Sequence, residues 1–276
     1  MSKQITNEEY LSFSNFLENA CGITLGENKE YLVSSRLQRL MDDESIENIS
    51  ALVKQLNNGS NMRLRSRIVD AMTTNETLWF RDNNPYETLR KELLPELAKE
   101  RNRPLRIWSA ACSSGQEPYS ISMIIHEFMA ANPGGLPRGV EIVATDISQT
   151  ILSQAKKGHY DDLAIVRGVS AERKQRYFKK VDKHWEIIPD IRKRVRFVEL
   201  NLMQSYISLG LFDIVFCRNV LIYFSSDLKR DIIGRMSKGL RSRGILFLGT
   251  SESITGHSDD FDMVRCLGGV HYRKKQ

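Results

Sequence analysis

At 276 residues the chain is long enough for one large domain or for a small and a medium one. Its 41% apolar and 27% charged content is that of a folded globular protein rather than a disordered one, and no apolar run approaches the ~18 residues that a membrane span requires. A net charge of +6 suits an anionic partner, but with no dense Lys/Arg tract and no nucleic-acid motif it does not choose one, and no nucleic acid is expected.

The first nine residues lack the apolar core of a secretory signal, so a cytoplasmic, not membrane-inserted, protein is expected. Cys21, Cys112, Cys217 and Cys266 are scattered with no C-x-x-C pair. That spacing argues against a zinc site and a disulfide framework, and predicts reduced, mostly buried thiols with no metal.

Residues 1–72 read as helices joined by short polar turns. Thr6 is placed to cap the first, with Glu9 completing a capping box, and Phe13, Phe16 and Leu17 follow at helical spacing. Val33, Leu37, Leu40 and Met41 line one face of the next helix, with Arg36 and Arg39 pointing away from it. A turn at Asn57–Ser60 precedes a helix with Leu64, Ile68, Ala71 and Met72 on one side and Arg63 and Arg67 on its flank. No strand pattern occurs here.

After about residue 100 strands and helices alternate. Leu105–Trp108 reads as a strand, followed by a small-residue turn and a helix opened by Pro118, with Ile121, Ile124, Ile125, Phe128 and Met129 on one face. Val140–Ala144 leads to Asp146, and Ser148 caps a helix that stops at Gly158. Val195–Leu200, Phe212–Cys217 and Ile245–Leu248 are further strands, with a helix near Asp227–Leu240 and a closing hairpin at Phe261–Arg273. The order predicts an α/β domain over 73–276 with a mainly parallel sheet. Arg176–Val181 and Trp185–Ile188 break the alternation, and predict a small antiparallel β-subdomain at about 176–194.

Several segments fall on the carboxyl edge of that sheet, where open α/β folds bind ligands. The turn Ser109-Ala-Ala-Cys-Ser-Ser-Gly lets backbone approach a ligand, but it lacks the full G-x-G-x-x-G of a dinucleotide loop. Asp146, at a strand end, can accept from both hydroxyls of a ribose, and Glu117 can meet a positive or amino group. In Cys217-Arg-Asn-Val-Leu-Ile-Tyr-Phe224, Asn219 offers a donor and an acceptor to an amino acid or an adenine edge. Tyr223 is either a core aromatic or a hydroxyl beside the reacting group. Arg81, after the polar lead-in Thr73-Thr-Asn-Glu-Thr, is either a solvated linker charge or a fork for a carboxylate.

Together, Thr-Thr-Asn-x-Thr-x-x-Phe-Arg, Trp-Ser-Ala-Ala-Cys-Ser-x-Gly-x-Glu-Pro-Tyr-Ser and Phe-Cys-Arg-Asn-Val-x-Ile-Tyr-Phe resemble the signatures of the chemotaxis receptor glutamate methyltransferases, the CheR family, in family order and over nearly the whole chain. The resemblance implies a class I S-adenosylmethionine-dependent methyltransferase domain, Rossmann-like, with a small antiparallel β-subdomain and a preceding all-α domain. It implies γ-glutamyl methyl esters made on the cytoplasmic helices of chemoreceptors, with S-adenosylhomocysteine as the second product. By similarity, Asn75, Thr77, Arg81, Glu117, Asp146, Asn201, Leu202, Arg218 and Asn219 would hold the cofactor, and Arg81 and Tyr223 would act near the transferred methyl.

On that reading Arg36, Arg39, Arg63 and Arg67 form either a basic face that docks a receptor helix or an ordinary solvated surface. Deleting residues 1–72 is then expected to spare cofactor binding while abolishing receptor methylation. Some family members hold a receptor C-terminal pentapeptide with a longer, glycine-containing hairpin loop; Lys180–His184 is short, so no such tether is expected. A monomer suffices. The competing readings are a catalytically silent receptor adaptor and a methyltransferase for a small molecule or nucleic acid.

Overall fold

Thr6 caps the first helix as its spacing predicts: its hydroxyl accepts from the Glu9 amide at 3.2 Å while the Glu9 carboxylate accepts from the Thr6 amide at 3.1 Å. The computed structural model describes residues 5–57, 61–99, 103–266 and 268–276. In it α1 (Asn7–Cys21), α2 (Glu30–Asp43), α3 (Ile49–Asn57) and α4 (Met62–Met72) form a bundle. Residues 58–60 of the expected turn lie outside the described residues. Phe13, Leu17, Val33, Leu37, Leu52 and Ile68 meet at the bundle's centre with no solvent exposure. Burying each contributes about 1.5–3 kcal/mol.

A helical run then leads to the sheet: α5 (Asn84–Thr88), a π-helical turn at Leu89–Leu93 and α6 (Leu94–Ala98). Pro95 cannot donate within this run, and the wider turn before it accommodates the missing hydrogen bond.

Next come β1 (Leu105–Ala110), α7 (Gln116–Ala131), β2 (Val140–Asp146) and α8 (Gln149–Lys157). They are followed by β3 (His159–Tyr160), α9 (Asp162–Val166), α10 (Ala171–Tyr177), β4 (Phe178–Val181), β5 (His184–Ile187) and α11 (Pro189–Arg192). The remainder is β6 (Val195–Glu199), β7 (Phe212–Cys217), α12 (Ser226–Gly239), β8 (Leu240–Leu248), β9 (Phe261–Cys266) and β10 (Gly269–Lys274).

The main sheet runs β6-β2-β1-β7-β8-β10-β9, parallel from β6 to β8 and antiparallel at β10 and β9. Both faces are covered. Ile107, Ile142, Ile214 and Ile245 pack in one layer with the residues of α7, and their strand neighbours Trp108, Val143, Val215 and Leu246 pack in the other with those of α12. Buried on both sides, these strands read as nearly continuous apolar runs. From β1 the chain moves outward through β2 to β6, then returns to β7 on β1's other side, and this reversal opens a crevice at the strands' carboxyl ends. At the opposite edge Arg103 forks onto the buried Asp213 at 3.0 and 2.6 Å, a structural clamp far from that crevice.

Four local expectations change. Pro118 is the third residue of α7, because Gly115, in the left-handed region at φ 94°, is its N-cap. Arg176 and Tyr177 end α10 instead of starting a strand, because Ser170 caps a helix there. The β-subdomain gains β3, giving the order β3-β5-β4. β8 starts at Leu240, five residues early, with Arg243 at φ 59° and a register shift that absorb its polar segment. No helix among the described residues is long and apolar enough to cross a membrane, and all four cysteines are unbridged, three of them buried.

Candidate active site

The turn after β1 carries Ala111 at φ 55° and Ser113 at φ 50°, conformations that cost energy and are held by surrounding contacts. The main contact is Asp146. One carboxylate oxygen accepts from the Ser113 amide at 2.8 Å and the other from the Ser148 amide at 3.0 Å, joining the turn to the start of α8. Burial pushes the Asp146 carboxyl up, and the amides of Ser148 and Ser113 oppose that shift. Each oxygen retains a lone pair for a ligand hydroxyl.

Glu117, in the first turn of α7, accepts from Ser109 at 2.8 Å and pairs with Arg218 at 3.2 Å. Burial raises its carboxyl too, with Arg218 and Ser109 acting against the rise. Arg218 is itself buried, and donates to Asp82 at 2.6 Å and to the Arg81 carbonyl at 2.9 Å. Burial opposes its charge, but Tyr86, Glu117 and Asp82 outweigh it. Arg218 is therefore a keystone between β7 and the Arg81 segment. That segment is strained, with Phe80, Asp82 and Asn83 at φ 49°, 64° and 47°.

The loop after β7 is held from two sides. Glu252, beyond the end of β8, accepts from the amides of Asn219, Val220, Ile222 and Gly249 at 2.7, 3.0, 3.3 and 2.7 Å. From the helical bundle, the amide and hydroxyl of Thr24 both donate to the Tyr223 carbonyl, at 2.9 and 3.0 Å. Asn219 sits at φ 57° within this clamp. Motif reading missed Glu252, although an acid just past a strand on the same sheet edge is the signal that drew attention to Asp146.

These segments enclose a cleft, partly open to solvent, lined by Asn75, Thr77, Arg81, Glu117, Asp146, Asn201, Leu202, Arg218, Asn219 and Tyr223. The structure thus gathers every residue expected for cofactor and catalysis into one place. It does so with an unexpected wall: Cys21, Ile23 and Met72 of the bundle line the same cleft, and Asn201 donates to the Ala20 carbonyl at 2.9 Å. The helical segment therefore lines the pocket as well as the sheet does, an arrangement that speaks against its expected dispensability for cofactor binding.

The four arginines expected at a docking face divide. Arg36 turns back to the cleft margin, donating to the carbonyls of Met72 and Thr73 at 2.6 and 3.2 Å and to the Thr74 hydroxyl at 3.0 Å. Arg67 pairs with Asp43 at 3.1 Å and with Glu44. Neither presents a free charge, because backbone carbonyls and acids within reach take both. Arg39 and Arg63 are exposed.

A buried carboxylate at a strand end beside Ile147, Leu200 and Leu202 suits a ribose diol next to an apolar ring. The residues fit S-adenosylmethionine. Comparison with known proteins agrees: residues 8–73 match the family model for the CheR methyltransferase all-alpha domain, and residues 75–269 match that for the CheR methyltransferase SAM binding domain.

The chain belongs to the CheR methyltransferase family.

It is 54% identical to the chemotaxis protein methyltransferase Cher2 of Pseudomonas putida over 98% of both chains. It is also 54% identical to chemotaxis protein methyltransferase 1 of Pseudomonas aeruginosa, again over 98% of both, and 32% identical to the Borreliella burgdorferi chemotaxis protein methyltransferase over 92% of this chain and 91% of that one. As a CheR methyltransferase the chain uses S-adenosylmethionine, and the all-alpha and SAM-binding parts of the family correspond to the bundle and the sheet described above.

Proposed function

We propose that this protein methylates specific glutamate side chains on the cytoplasmic helices of chemoreceptors, forming glutamyl methyl esters in the cytoplasm. The observation that carries the reading is the double clamp on the Asn219–Tyr223 loop, by Glu252 and Thr24, which holds Tyr223 on the cleft that Arg81 also lines.

Bound S-adenosylmethionine supplies a methyl group activated on a sulfonium. A substrate glutamate has an ordinary pKa near ~4.3 and is ionised at neutral pH, so it is its own nucleophile and needs no general base. The protein's task is alignment and partial exclusion of water. Arg81 and Tyr223 orient the carboxylate and screen its charge without moving a proton. Arg81 must not hold it too tightly, since ground-state binding alone does not raise the rate. Asp146 takes the ribose, and Asn75, Thr77, Asn201, Leu202 and Asn219 complete the cofactor contacts. Glu117, Arg218 and Arg81, which line the same cleft, also face the cofactor on this reading, and the Glu117–Arg218 ion pair holds the site's shape.

Of the four arginines considered for docking, Arg39 and Arg63 remain for a receptor helix. No C-terminal peptide tether is used: β4 and β5 are joined by Asp182 and Lys183 alone, which leaves no longer glycine-containing loop to grip one. The protein works as a monomer. Labelled-methyl transfer to receptor-bearing membranes tests the reading: Tyr223→Phe and Arg81→Ala should each lower kcat by about 10²-fold while binding S-adenosylhomocysteine within a few-fold of the parent for Tyr223→Phe. An unchanged kcat in both would refute the assigned roles.

A further inference from the structure

His159, His184 and Glu186 converge on the β-subdomain, outside the residues that line the cleft. Strand pairing brings them together: His159 on β3 lies opposite Glu186 on β5, and His184 is two residues before Glu186 on β5, so the pleat turns it to the same face. The Nε2 atoms of His159 and His184 lie 3.1 and 3.2 Å from the same carboxylate oxygen, Oε1 of Glu186. The two imidazoles stack with centroids 4.3 Å apart and planes 20° from parallel. In a tetrahedral site with bonds of about 2.0–2.1 Å, ligand atoms stand about 3.3 Å from one another. The two N···O separations lie near that edge length; because the imidazoles are stacked, one ring must rotate about its side-chain bonds for both Nε2 lone pairs to meet one ion, and the partial solvent exposure of all three side chains leaves room for that rotation.

We propose that His159, His184 and Glu186 form a three-ligand site for a borderline divalent cation of the zinc type, with water in the fourth position. Two imidazoles and a carboxylate are the ligand set that such ions favour over magnesium or calcium. The cation would act as a clip. β3 pairs with β5 through only His159 and Tyr160, and Tyr160 donates to the Ser114 carbonyl in the turn after β1 at 2.7 Å. A metal at His159 therefore fastens the strand that supports the turn. Cysteine spacing could not reveal this site, because its ligands are a His-x-Glu pair and a histidine 25 residues upstream.

Titration of the reduced full-length protein with cobalt(II) tests the proposal. One saturable equivalent should give the visible d–d absorption of a low-coordinate nitrogen–oxygen site without sulfur-to-cobalt charge transfer. His184→Ala should abolish that signal, and Glu186→Gln should weaken binding by at least about ten-fold. Zinc should raise the melting temperature of the parent but not of His184→Ala. No saturable binding, a sulfur-ligand spectrum, or binding unchanged in His184→Ala would overturn it. None of these readouts depends on methyl transfer, so the outcome is independent of the proposed reaction.

Discussion

Burial of Asp146 and Glu117 beside one cleft raises both carboxyls above their ordinary range, and the consequence for ligand binding has a definite sign. In the protein alone, a raised pKa means that the fold suits the protonated form. The stability this contributes is complete below the unfolded value and is lost as pH rises through the folded one. Ribose hydroxyls reverse the preference, because they donate to the ionised Asp146. Affinity for S-adenosylhomocysteine should therefore fall on acidification, beginning above the usual aspartate value of 3.8. Asp146→Asn should bind about 10–100-fold more weakly at neutral pH, since a hydrogen bond to a charged group contributes about 1.5–3 kcal/mol. Calorimetric titration across pH checks both, and an undiminished affinity in Asp146→Asn would remove the ribose assignment. Glu252 acts differently, through four backbone amides of the loop and its neighbour. Glu252→Ala should lower kcat by about 10²-fold through misplacement of Tyr223, with a smaller change in cofactor affinity. Equal losses in both would mean general unfolding of the site.

The joint between the helical bundle and the sheet is the element on which the cleft depends. α1 ends at Gly22 at φ 79°, where a Cβ would collide with Leu228 and lie 3.3 Å from Phe224, and the next residues grip the Tyr223 loop. Gly22→Ala should weaken S-adenosylhomocysteine binding and lower the melting temperature together, and removing residues 1–72 should abolish binding outright. Calorimetry on both variants checks this; tight binding by the truncated chain would show the bundle to be a docking module only. None of this was legible from patterns. The Thr6–Glu9 box, the Ser148 cap and the buried strands were readable, because caps and apolar runs are local signals. Motif order likewise identified the residues that line the cleft. Contacts such as Thr24 to Tyr223, Arg36 to Met72 and Asn201 to Ala20 use backbone carbonyls, which every residue has, and so leave no mark in the sequence. β3 carries no such signal because two residues show no periodicity, and Arg176–Tyr177 ends a helix although its aromatic run looks extended, because Ser170 starts that helix.

At the scale of the whole molecule, a net charge of +6 biases the surface toward an acidic partner, though Arg36, Arg67 and Arg218 are engaged within the chain. With Arg36 and Arg67 engaged, the exposed Arg39 and Arg63 are left to meet a receptor helix. Reversing both to Glu should raise KM for receptor by about ten-fold at low salt, leave cofactor affinity unchanged, and lose much of its effect at high ionic strength. Steady-state kinetics at two salt concentrations would show it, and an unaltered KM would locate docking elsewhere. The most direct test of carboxyl methylation itself is incubation of the protein with labelled S-adenosylmethionine and receptor-bearing membranes, followed by mild base and peptide mapping. Label that appears on receptor glutamates and leaves as methanol in base is the expected result. Label that is absent from receptor, or that survives base, would contradict glutamyl ester formation as the function of this protein.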